Sequence, residues 1–300
     1  MVISRISIFI VFLLLITNSS SYSQQVIPEL DIEITDGVVD PIPVAMPNFV
    51  IENYSSAIVG NEIAKIIKRN LTETALFRVI PADAYISNLT SIDAPVRFAD
   101  WRAINSDLLI AGSISAAEDM ITVKFRLWDV VGQTEMFKGV QFAGPASSIR
   151  RIAHKVSDLI YSSVTGEGHY FDTRIAFISE RGAKNNRIKR LAIMDQDGAN
   201  LVYLTNSKSI VLAPRFSPDA RKILYTSYET GKPRVYLMDL INGNLRSFPE
   251  LPGMTFAPRF SPDGKNIILS ITDNGNTDIY TLNLAYLNNS FTFYLTNFCA

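Results

Sequence analysis

The sequence has one cysteine, Cys299, and two histidines, His154 and His169, among 300 residues. A single thiol beside the last residue excludes an internal disulfide framework and a multi-cysteine metal site. Two imidazoles leave little material for a zinc centre or for nucleophile–histidine chemistry. No G-x-S-x-G, H-E-x-x-H, C-x-x-C or G-x-x-x-x-G-K pattern occurs, so no catalytic residue, metal or cofactor is expected. An excess of charge of one sign is lacking as well. With 28 Lys and Arg against 29 Asp and Glu, the chain has no basic surplus of the kind a nucleic-acid partner would require.

What is present begins with an address. Arg5 precedes an apolar run from Ile6 to Ile16, broken only by Ser7, and polar residues follow from Thr17 to Ser23. The run is too short for a hydrocarbon core of ~30 Å, which takes roughly 20 apolar residues to cross. It has the form of a secretory signal peptide over residues 1–23, cleaved between Ser23 and Gln24, with Ser21 and Ser23 at the positions that need small side chains. No later apolar stretch is long enough to cross a bilayer as a helix, so no membrane span is expected after cleavage.

Residues 24–43 read as an extended arm, interrupted by Asp36-Gly37, Pro41 and Pro43. Leu30, Ile32 and Ile34 alternate with acidic residues, a pattern that suits either a strand added to a partner's sheet edge or a local strand of the chain's own domain. From 44 to 165 the periods alternate. Val44 to Val50 suggests a strand. Ser55 or Ser56 can cap a helix whose Val59, Ile63, Ile66 and Ile67 fall on one face. Asp107–Gly112, Ile121–Asp129 and Thr134–Phe142 read as strands of a mixed sheet, and Ser147 or Ser148 opens a second helix that ends at Gly166. The expectation is a compact α/β domain over 44–165, with a linker at 166–174.

Beyond the linker the period falls to two and an internal repeat appears. Ala213-Pro-Arg-Phe-Ser-Pro-Asp219 recurs unchanged at Ala257–Asp263, and 11 of the 28 positions from 213 to 240 match those from 257 to 284. A partial earlier copy runs from Ile175 to Asp195. Ser261-Pro-Asp-Gly264 suits a type I turn, and Asn242-Gly243 suits a hairpin. About four short strands in roughly 44 residues is the size of a β-propeller blade. Residues 175–300 are therefore expected to form propeller sheets, with Phe216 and Phe260 filling the space between blades.

Other polar features have plain readings. Arg181, Lys184, Arg187, Lys189 and Arg190 surround a hairpin turn and read as a solvated surface. Asp195-Gln-Asp197-Gly198 resembles the start of a calcium loop but lacks the later acidic ligands. His154 is placed on the polar side of the second helix with a structural hydrogen bond, and His169 in the linker.

These repeats, with Asp100-Trp-Arg-Ala-Ile-Asn-Ser-Asp107, Phe125-Arg-Leu-Trp-Asp-Val130, Arg151-Ile-Ala-His-Lys155 and Tyr170-Phe-Asp-Thr-Arg-Ile-Ala-Phe177, closely resemble the TolB family, periplasmic components of the Tol–Pal system of Gram-negative bacteria. The resemblance runs along the whole chain. It implies a non-enzymatic adaptor: an α/β domain joined to a six-bladed propeller of WD40-like repeats. One propeller mouth would receive the peptidoglycan-associated lipoprotein Pal, and the N-terminal arm would bind TolA, in support of outer-membrane integrity and constriction during cell division. The Pal contacts are expected at Val211, Leu212 and Ala213 and at Met254, Thr255, Phe256 and Ala257, in loops leading into the innermost strands; TolA would meet the arm at Leu30, Ile32 and Ile34. Six blades at this period need about 264 residues, against the 131 from Tyr170 to Ala300. The chain thus reads as a piece holding at most three blades, the first without its inner strand. The alternative is the propeller of a prolyl oligopeptidase-like serine peptidase that lacks its hydrolase domain.

Overall fold

Residues 40–248, 253–285 and 296–297 are described by a computed structural model of the chain. The signal peptide, the Ser23/Gln24 cleavage point and the arm positions Leu30, Ile32 and Ile34 lie outside the described residues.

The first sheet is mixed. Strands β1 (Ile42–Ala45), β2 (Val50–Ile51), β3 (Phe77–Val79), β4 (Leu108–Ala117), β5 (Met120–Asp129), β6 (Thr134–Glu135) and β7 (Val140–Pro145) form one sheet in the order β3-β1-β4-β5-β6, with β2 pairing β4 and β7 pairing β5. β1 lies parallel to β3 and β4, whereas β4 and β5 form a long antiparallel hairpin from Leu108↔Asp129 to Ala117↔Met120. Two expected strands are each divided. Val44–Val50 breaks at Pro47, which has no N–H for a ladder, and Thr134–Phe142 becomes β6 and β7.

Helices α1 (Ala57–Glu73), α2 (Phe98–Ala103) and α3 (Ile149–Thr165) cover both faces. The expected stripe of α1 is real: Ile63, Ile66 and Ile67 are buried with Val156 and Ile160 of α3 against Val44, Ile110 and Phe125 of the sheet. Adjacent strand residues point to opposite faces, so Ala45 and Leu109 meet Trp101 of α2 on the other side. α3 stops at Gly166, whose φ of 75° allows its N–H to bond Ser162 O.

After α3 the chain makes antiparallel meanders. β8 (Arg174–Arg181), β9 (Ile188–Asp195) and β10 (Val202–Tyr203) form a three-stranded sheet. β11 (Val211–Phe216), β12 (Lys222–Ser227), β13 (Arg234–Asp239) and β14 (Leu245–Ser247) form a four-stranded one, as do β15 (Met254–Phe260), β16 (Asn266–Asp273), β17 (Asn276–Asn283) and β18 (Thr296–Asn297). The sequence repeat is also a register repeat: Lys222↔Asp239 and Ile223↔Met238 in one sheet become Asn266↔Asn283 and Ile267↔Leu282 in the next. The turn chemistry repeats with it. Ser217 Oγ donates to Asp219 and accepts from the Lys222 N–H, while Ser261 Oγ does the same with Asp263 and Asn266.

Sheets bury their faces against neighbours. Ile223, Tyr225 and Tyr236 meet Leu191 and Ile193 of the first sheet with Phe216 at the margin, and Leu224, Val235 and Leu237 meet Ile267, Leu269 and Leu282 of the third with Phe260. The next face shows the same design uncovered. Ile268 and Ile279, at the positions of the buried Leu224 and Val235, are 42% and 47% exposed. An α/β region followed by sheets of an unclosed propeller is thus the architecture of the described chain.

Candidate functional site

Two constellations stand out, one at the first strands of the propeller sheets and one where the α/β region meets the first sheet.

Val211, Leu212, Ala213, Met254, Thr255, Phe256 and Ala257, expected in loops, belong instead to the first strands, β11 and β15. The reason is a bulge. Ala213 and Ala257 adopt φ of 52° and 48°, and the ladder register shifts between Leu212 and Arg215 and between Phe256 and Arg259. A non-glycine residue in the left-handed region followed by proline reads as a chain breaker in sequence, yet here the strand continues past it. The seven are not equally available. Val211 is buried between the first two sheets and Thr255 is buried with its hydroxyl toward Pro233 O at 3.4 Å. Leu212, Ala213 and Phe256 are half-buried, and Met254 and Ala257 are exposed. Met254 lines a cleft of about 430 Å³ with Lys232, Pro233, Thr272 and Asp273, between the turn that follows β12 and the start of β15.

The second constellation was only partly visible in the sequence. Asp197, in the turn after β9, buries its carboxylate against the α/β helices and accepts from the guanidiniums of Arg69 on α1 and Arg150 on α3. Arg150 also reaches Asp195 at 3.6 Å, and His154 Nε2 lies 3.8 Å from Asp197 Oδ2. His154 is on the polar side of α3 as expected, with a hydrogen bond to Asn70, but at 3% exposure it is enclosed there, because the turn of the first propeller sheet covers that side of α3. Burial and the nearby Arg150 hold its pKa below the ordinary imidazole range against the pull of Asp197. Asp197 keeps a lowered pKa despite burial, through the Ala199 N–H and the Arg150 and Arg69 guanidiniums. His154, Asp195 and Asp197 bring ligand-type atoms within 4.8 Å of one another. Two guanidiniums already balance the two carboxylates, however, so the group is an ion-pair network and not a cation site.

A third fixture fastens the linker. Asp158 of α3, 2% exposed, accepts from the N–H groups of Tyr170 and Phe171 at Oδ1 (2.6 and 2.7 Å) and of Asp172 at Oδ2 (3.0 Å). His169, next to this staple, is exposed, with Nδ1 3.8 Å from Asp158 Oδ2. The basic hairpin is paired as a surface would be: Arg187 and Lys189 both reach Glu180 at 2.7 Å, and Arg190 stacks 3.6 Å over the Tyr203 ring.

Comparison with known proteins agrees with this layout. Residues 30–136 match the family model of the TolB amino-terminal domain, and residues 161–297 that of the TolB beta propeller domain. The Tol-Pal system protein TolB of Cereibacter sphaeroides is 56% identical over 209 residues, 70% of this chain and 47% of the relative. That of Paramagnetospirillum magneticum is 46% identical over 210 residues, with the same shares. The crystal structure of TolB from Acinetobacter baumannii superposes with a TM-score of 0.68 at 30% identity, covering 86% of this chain and 60% of that one. The chain spans about half the length of the curated relatives it matches. With an N-terminal domain and propeller sheets that both match family models of TolB, joined in the same order, the chain belongs to the TolB family.

Proposed function

We propose that this chain is part of a non-enzymatic periplasmic adaptor of the Tol–Pal envelope system, joining TolA to the lipoprotein Pal for outer-membrane integrity and constriction in cell division. The observation that carries the reading is the pairing, in one chain, of the TolB amino-terminal domain with repeats of the TolB propeller. The peptidase reading loses its basis, since the α/β region matches TolB and no helper motif for a nucleophile is present. Among the described residues no helix is long and apolar enough to cross a membrane.

The division of labour follows the chain. Residues 1–23 direct export, the arm ahead of β1 presents Leu30, Ile32 and Ile34 to TolA, the domain from β1 to α3 carries the arm, and the linker after α3 leads into the propeller at β8. Pal meets the propeller where the first strands begin. Of the seven expected contacts, Met254 and Ala257 are the exposed ones, and Met254 sits on a cleft into which a partner's side chain can insert. An exposed methionine beside such a cleft is an adaptable apolar contact. The test is Met254→Glu in the full-length protein, read by Pal binding and by thermal stability. The reading expects weakened Pal binding at unchanged stability; lost stability with unchanged Pal affinity would overturn the assignment of Met254. For the arm, a chain starting at Val38 should lose TolA binding, and unchanged affinity would refute its role.

A further inference from the structure

The junction between α1, α3 and the turn after β9 contains a buried titratable group that the adaptor reading leaves without a task. The hydrogen bonds around His154 run in one direction only. Ser157 Oγ donates to Ala153 O at 2.9 Å, so it accepts from Asn70 Nδ2 at 2.9 Å; the second Nδ2 hydrogen then points to His154 Nδ1, also at 2.9 Å. Nδ1 is therefore an acceptor, and the ring's single proton is on Nε2, which faces Asp197 Oδ2 at 3.8 Å without a hydrogen bond.

This network fits one protonation state. A second proton must go on Nδ1, where the Asn70 amide already donates. Rotating the amide would offer Asn70 Oδ1, which has no partner now, but would strip Ser157 of its donor. The surrounding charges do not call for another cation either. Arg69 and Asn70 face the ring from α1, Arg150 and Ser157 from α3, Asp195 and Asp197 from the turn, and Asp172 from the linker. Asp197 already holds two guanidiniums, Asp195 faces Arg150, and Asp172 is bound by Arg151 and Lys155 at 3.3 Å each. An imidazolium here is relieved by water, and at 3% exposure, on the edge of a cleft of about 690 Å³, the ring meets little of it until the turn leaves the helices.

We propose that His154 makes this junction a pH-sensitive latch: neutral, it lets the turn of the first propeller sheet seat Asp197 between the α/β helices, and protonated, it unseats it. The direction follows from linkage. A histidine held below its ordinary value in the closed form contributes its full share of closure above about pH 6.5, and that share declines as the pH falls.

The experiment uses the full chain with spin labels at Glu62→Cys on α1 and Leu201→Cys beyond the turn, and Cys299→Ser to leave two labels. Distance distributions are recorded at about pH 7.5 and about pH 5.0, where histidine changes charge. The wild-type junction should show roughly a threefold or greater rise in the long-distance population on acidification. His154→Gln, which accepts from Asn70 and does not titrate, should show the short distance at both pH values. A pH-independent wild type, or a His154→Gln variant with the same acid response, overturns the latch. Asp197→Asn guards against a misfolded glutamine variant: it removes the plug and should open the junction at neutral pH, and a closed junction there would equally overturn the proposal.

Discussion

Replacing Asp158 separates a linker staple from an ordinary surface carboxylate. Its side chain is 2% exposed and takes three consecutive backbone N–H groups, of which that of Phe171 is buried and those of Tyr170 and Asp172 partly so. Hydrogen bonds to a charged acceptor contribute about 1.5–3 kcal/mol each, and a buried donor left alone costs the upper part of that range. Asp158→Ala leaves one buried donor at about 3 kcal/mol and two that water can reach at about 0.5–1 kcal/mol each, so a loss of about 4–5 kcal/mol is expected. Asp158→Asn keeps its oxygen on Tyr170 and Phe171 but turns an N–H toward the Asp172 N–H, which should cost about 2–3 kcal/mol. Urea unfolding followed by the fluorescence of Trp101 and Trp128 and by far-ultraviolet dichroism measures both. Because Phe171 is 1% exposed and meets Tyr161 edge to face, the Ala variant should also become sensitive to proteolysis between Gly166 and Thr173. A loss below about 1 kcal/mol for Ala, or an Asn variant as damaged as Ala, would refute the staple.

The bulged alanines carry backbone strain of about 1–2 kcal/mol each, so Ala213→Gly and Ala257→Gly should raise the melting temperature while the valine variants lower it; glycine variants less stable than wild type would show that the alanine methyl contributes packing instead. Acid should act on the repeated turns, where hydrogen bonds from Ser217 and the Arg221 N–H, and from Ser261 and the Lys265 N–H, hold Asp219 and Asp263 below the usual carboxylate range. Such groups contribute stability that is full above about pH 4 and lost as the pH falls through the folded value; Asp219→Asn should flatten that part of an acid titration followed by dichroism, and an unchanged slope would refute it.

Much of the fold was legible because its signals are local. The stripe of α1 from Val59 to Ile67, the glycine that ends α3 and the seven-residue repeat each report on their own element, and each recurs in the structure at those residues. The functional constellations were less so. The period of α3 assigned His154 to the polar side but not its burial there, because a helical wheel knows nothing of a turn arriving from 43 residues further along the chain. Asp158 has no sequence signal to mark it, its three partners being backbone groups with no side-chain signature. Ala213-Pro214 and Ala257-Pro258 looked like loop punctuation; the bulge that lets a strand absorb them depends on pairing to β12 and β16, which composition does not announce.

The first propeller sheet has a further consequence for how the chain avoids the wrong company. Among the described residues, β8 is paired on one side only, and a bare strand edge is a template for any extended segment, including those of nascent neighbours. β8 carries Arg174 at one end and Glu180 and Arg181 at the other, leaving Ile175 to Ser179 as the uncharged stretch between them. Five uncharged positions between fixed charges are a short address: a stray apolar strand that slides along this edge must set its own residues against arginine or glutamate within a step or two. Wrong pairings are thereby shortened, while a strand with complementary ends keeps the whole edge.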